Sequence, residues 1–129
     1  VLSFNLVLSL LLIFRTNTAY DRFWEGRKLW GNLVNTVRNL TRGIWIIIKE
    51  REAADREEKK AAMRLVVAFA IAVKLHLRRD PMNEELLSLM SVSEYSKLQN
   101  TNHPSLEITF WIGEYLQHQY DCQSIDVYQ

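Results

Sequence analysis

Three histidines, one cysteine and two adjacent carboxylate pairs are the side chains here whose types could do chemistry: His76, His103, His118, Cys122, Glu57–Glu58 and Glu84–Glu85. Histidines with carboxylates ligate divalent metals, and paired carboxylates perform acid–base work. Either use requires the groups to converge, and nothing in their spacing requires that. His103 stands beside Pro104 in a turn signal, and the other two histidines fall on different predicted helices. Both carboxylate pairs lie in charged helical runs, where a solvated face explains them. A single cysteine excludes an internal disulfide framework and a cysteine-based zinc site. Walker loops, Gly-x-Gly-x-x-Gly and His-Glu-x-x-His are absent from the sequence. No catalytic residue, metal or cofactor is expected, and the chain does not read as an enzyme.

The positioning elements are more informative. Sixteen basic and 15 acidic residues leave a net charge of +1 over 129 residues. Basic and aromatic residues interleave around Arg22 to Lys28, but a nucleic-acid partner would need an excess of positive charge, so none is expected. Apolar residues are concentrated at the start. Val1 to Phe14 carries no charge, and only Ser3, Asn5 and Ser9 are polar. Fourteen helical residues rise roughly 21 Å, short of the ~20 residues that cross a bilayer. The run opens without Met or a basic leader, so it does not read as a signal peptide. An internal fragment is expected, with missing sequence on both sides and a longer apolar segment. The competing readings are a core helix or partner-binding face of a soluble helical module, and a membrane-anchored scaffold without conduction.

"FRTNTAYDRFWEGRKLWG" follows the apolar run directly, with no Gly or Pro before Gly26. Thr16, Asn17 and Thr18 weaken helix propensity without breaking it. The pattern predicts one helix passing from an apolar solvent into water, with apolar residues recurring at helical period to Ile48. Gly26, Gly31 and Gly43 are candidate bends or close-packing points, and "GIWIII" is a packing or membrane-surface patch too short to span. Lys49 to Lys60 reads as a solvated helix opening, with Glu52–Arg56 and Asp55–Lys59 at i, i+4 in the favourable order. It leads into "MRLVVAFAIAVKLHLRRD", which Lys74 and His76 mark as a bundle helix rather than a second span, ending at Asp80-Pro81. "MNEELLSLM" predicts a short amphipathic helix, and "SVSE" a capping box in which Ser91 caps and Glu94 reaches back. "NTNHP" predicts a turn before a final helix over "SLEITFWIGEYLQHQY". Strand patterns and repeats are absent, so the expected class is all-α.

"FRTNTAYDRFWEGRKLWGNLVNTVRNL" resembles the segment after the pore-lining helix of the bestrophin family, particularly its prokaryotic and plastid members. "LVVAFAIAVKLHLRRD", "SVSEYSKL" and "NHPSLEITFWIGEYL" resemble the family's cytosolic helices in the same order. The resemblance covers nearly the whole chain. It implies a subunit of a homopentameric channel that passes chloride and other small anions passively, with cation conduction as the alternative among prokaryotic members. It also implies partners in a lipid bilayer, small inorganic ions and four further copies, and a bacterial inner membrane or a plastid membrane. Residues 1–129 become one bestrophin-like helical fragment. Residues 1–14 then form part of a membrane-spanning pore helix, and 15–129 the juxtamembrane and cytosolic helices.

The family's Arg-Trp-Trp following the neck falls on Arg22, Phe23 and Trp24. Counting back places the three neck positions on Leu6, Leu10 and Phe14, which share one helix face at i, i+4, i+8. Such apolar rings cannot replace an ion's hydration shell, so their width sets a barrier. Asn5 and Ser9 form a rival polar stripe for the pore. Arg15 marks the emergence into water, Tyr20 and Trp24 can stack, and Asp21, Arg22, Glu25 and Lys28 can tie helices and subunits together. Two neck leucines depart from the Ile and Phe common in the family. The acidic calcium clasp of animal members and the cytosolic aperture both lie downstream of Gln129.

Overall fold

The computed structural model describes residues 1–126; Val127, Tyr128 and Gln129, the end of the expected single domain, lie outside the described residues. Five helices follow in order: α1 Leu2–Ile47, α2 Ala53–Arg78, α3 Glu84–Leu87, α4 Val92–Gln99 and α5 Pro104–Asp121. No strand occurs among the described residues, so the all-α class holds. Packing divides the chain into two units, the first being Val1–Asn35 and the second beginning at Thr36.

The first unit is a stretch of α1 with no buried side chain. It passes the Thr-rich junction without a break because the hydroxyls satisfy themselves on the helix. Thr16 Oγ1 donates to the Leu12 carbonyl at 2.7 Å and Thr18 Oγ1 to Phe14 at 2.9 Å. Such i−4 bonds satisfy the hydroxyls within the helix while weakening it slightly. A side chain at Gly26 or Gly31 would meet nothing within 4 Å, so neither glycine is required by a contact within this chain.

The second unit has a core of Ile44 and Ile48, the α2 stripe Val66, Ala68, Ala72 and Leu75, and Leu86, Leu98, Ile108 and Ile112. α2 and α5 form its main pair. "GIWIII" is therefore split: Ile44 and Ile48 are buried, whereas Ile46 is exposed. Helix ends carry the expected punctuation in part. Asn83 caps α3 through a bond from the Leu86 amide, Ser91 caps α4 through one from Glu94, and Pro104 opens α5. Lys74 reaches across to Glu85 at 2.9 Å, joining α2 to α3.

Four expectations are corrected. The helix after "GIWIII" opens at Ala53, not Lys49, because Asp55 Oδ2 accepts the amides of both Arg51 and Glu52 at 2.9 Å and fixes the start there. The Glu52–Arg56 and Asp55–Lys59 pairs do not form. Asp55 is occupied by that cap, Lys59 turns back to Glu50 and Arg56 lies over the Trp45 ring. "MNEELLSLM" yields only the one-turn helix Glu84–Leu87, since Leu89 and Met90 close into turns on Leu86 and Leu87. Glu94 does reach back, but its carboxylate accepts the Ser91 hydroxyl at 2.8 Å.

Three groups on α2 and α5 are shifted from their ordinary values. The amides of Glu52 and then Arg51 hold the Asp55 carboxyl below its ordinary range. The Lys60 ammonium, hydrogen-bonded at 3.0 Å, does the same for Glu57. Burial first, then the Glu58 and Asp55 carboxylates, push the Tyr115 phenol up to about 12.

Candidate functional site

Leu6, Leu10 and Phe14 follow one another on α1 as the sequence spacing requires. Successive side chains are about 6 Å apart along the axis and differ by about 40° in direction. All three are exposed, at 66%, 46% and 63%. All three side chains are left uncovered among the described residues. The rival stripe differs in chemistry. Ser9 Oγ donates to the Asn5 carbonyl at 2.8 Å, which turns the hydroxyl onto its own helix.

At the junction, Arg15, Tyr20, Asp21, Arg22, Trp24 and Glu25 are all exposed. Tyr20 and Trp24 meet edge to face with ring centroids 6.0 Å apart, and Phe23 meets Trp24 at 6.3 Å. The three ion pairs among the described residues lie elsewhere: Lys59–Glu50, Lys60–Glu57 and Lys74–Glu85. Asp21, Arg22, Glu25 and Lys28 therefore form no ion pair among the described residues.

The groups with chemical potential stay apart. His76 is in the last turn of α2, His103 precedes α5, and His118 is in the last turn of α5. His118 Nε2 is 3.8 Å from Cys122 Sγ. No group of three or more His, Cys, Asp or Glu residues could hold a metal among the described residues.

One residue escaped the sequence reading. Lys59 was expected on a solvated face, yet it is only 3% exposed and carries an ion pair. Its signal was periodicity: extending the buried stripe back from Val66 through Ala62 reaches position 59.

The fold is thus an all-helical one with a single helix, α1, long and apolar enough to cross a membrane among the described residues. A sequence model of the bacterial/fungal bestrophin protein matches residues 1–129, and the chain belongs to the bestrophin family. It is 58% identical over 125 residues to a voltage-dependent anion channel-forming protein of Nostoc sp.. It is 54% identical, also over 125 residues, to a protein of the same description from Synechocystis sp.. Both alignments cover 97% of this chain and 41% of the relative. A protein of Arabidopsis thaliana described as voltage-dependent chloride channel 2, chloroplastic, is 29% identical over 85% of this chain and 27% of that protein. The chain spans about two fifths of the length of the first two relatives.

Proposed function

We propose that the chain is part of a subunit of a homopentameric channel that conducts small anions such as chloride passively, with no catalytic step. Residues 1–14 belong to the membrane-spanning pore helix, and 15–129 are its juxtamembrane and cytosolic continuation within one bestrophin-like domain. Leu6, Leu10 and Phe14 form the neck, and the exposed aromatic and charged band from Arg15 to Glu25 pairs with neighbouring helices and subunits. The carrying observation is that α1 runs unbroken from a charge-free segment with no buried residue into a charged one. A helix so apolar on every side needs lipid or like helices around it. Family membership and the anion-channel names of the relatives support the same reading. The bacterial inner membrane or a plastid membrane fits the cyanobacterial and chloroplastic relatives.

Apolar rings act by desolvation. They offer an ion no replacement for its water, so a narrow neck excludes ions and a wider, wetted one favours those that shed water cheaply. The full-length protein should stay with membranes after carbonate washing and produce single-channel currents in planar bilayers. Reversal potentials under a chloride gradient then separate anion from cation conduction. Recovery in the aqueous wash, or bilayers without current, would sink the reading.

A further inference from the structure

The carboxyl end of α1 has no basic residue in its own last turn. The final four carbonyls of a helix lack intrahelical partners and carry its negative dipole end, so a cation there is stabilising. Here α2 supplies it. Lys59 Nζ donates to the Trp45 carbonyl at 3.2 Å and to Glu50 Oε1 at 3.1 Å, and it lies 5.3 Å from the centroid of the Trp45 ring. Arg56 covers the same ring at 5.6 Å. A buried ammonium held by a helix-end carbonyl, a carboxylate and a ring face tolerates little displacement, because losing any partner leaves charge desolvated.

We propose that Lys59 is a positioning residue for gating: it anchors the carboxyl end of α1 to α2. This rests on the channel reading for its functional half. α1 is one continuous helix from Leu2 to Ile47, so the anchored end and the apolar segment share one hydrogen-bonded backbone. Ordinary bundle packing would hold α2 against its neighbours without needing a charge at this point. The charge adds direction, since only one facing of the carboxyl end of α1 brings the Trp45 carbonyl to Nζ.

The test uses the full-length protein with Lys59→Met, which keeps the stem and removes the ammonium, and Glu50→Gln, a milder change at a part-exposed partner. Hydrogen–deuterium exchange at Ile46–Ile48 reads the anchor, with Leu86 and Leu98 as distant core references. Single-channel recording reads open probability and unitary conductance. Lys59→Met should speed exchange at Ile46–Ile48 by about tenfold or more, with the references unchanged. It should change open probability by about fivefold or more at wild-type unitary conductance. Glu50→Gln should move both readouts the same way by less. Wild-type exchange at Ile46–Ile48 in both variants overturns the anchor. Faster exchange with unaltered open probability overturns the gating role, as does faster exchange at the references together with Ile46–Ile48. A wild-type protein that passes no current sinks the channel reading and the gating role with it, while the exchange arm still decides whether Lys59 anchors α1.

Discussion

The Ser9 hydroxyl donates to the carbonyl of Asn5, one turn back on α1, at 2.8 Å. The polar stripe therefore spends its hydroxyl proton on its own backbone, whereas Leu6, Leu10 and Phe14 present only carbon. Ser9→Ala should leave unitary conductance near wild type. On the proposed neck assignment, Leu10→Ala would remove an apolar ring and make the neck wider and easier to wet, so conductance or gating should change. Single-channel recording of the two full-length variants decides between the faces. The opposite pattern would assign the lumen to Asn5 and Ser9.

Asp55 should set part of the acid limb of stability. Its carboxyl is held low in the folded state, chiefly by the Glu52 amide and then the Arg51 amide. A lowered folded value means stabilisation that is present above the ordinary 3.8 and is lost as pH falls through the folded value. Asp55→Asn should lower the melting temperature at neutral pH and flatten its decline in acid. Melting curves from pH 2 to 7 check this, and an unchanged acid slope would count against the cap.

Tyr115 works at the other end of the scale. Its phenol is pushed from 10.0 to about 12, mainly by burial. A raised folded value gives stabilisation that is complete below pH 10 and is lost as pH rises from 10 towards 12. Tyr115→Phe, which cannot ionise, should remove that share of the alkaline loss. Chemical denaturation at pH 9 and pH 11 measures it, and equal losses in both proteins would refute the assignment.

The helices were legible where one local signal decides. Pro104, Ser91 with Glu94, and the 3.6-residue period of α2 each determine an element without help from the rest of the chain. The start of α2 was not legible. Its charged residues had two uses, i+4 pairing or capping, and the tertiary position of Glu50 and Trp45 drew Lys59 and Arg56 away. Lys59 itself was hidden for the same reason, because a lysine signals solvent until its partner is placed. The neck positions came from family likeness together with helix geometry. Spacing alone leaves Leu6, Leu10 and Phe14 level with Asn5 and Ser9, because the direction of the pore depends on neighbouring helices.

α2 ends on a left-handed residue that is not glycine. Arg79 adopts φ 57° and ψ 31°, and its amide reaches the His76 carbonyl while Asp80 reaches Leu75 at 2.9 Å. These bonds close the helix in a Schellman-type turn, so the conformation is required even though a Cβ disfavours it. Arg79→Gly should stabilise the fold relative to Arg79→Ala by about 1 kcal/mol. Both variants lose the same positive charge near the helix end, so the difference isolates the backbone term from the dipole term. Denaturant titration of the two full-length variants measures it. Equal midpoints would mean that the left-handed turn relaxes when Arg79 is replaced, and that Asp80-Pro81, rather than the turn, stops α2.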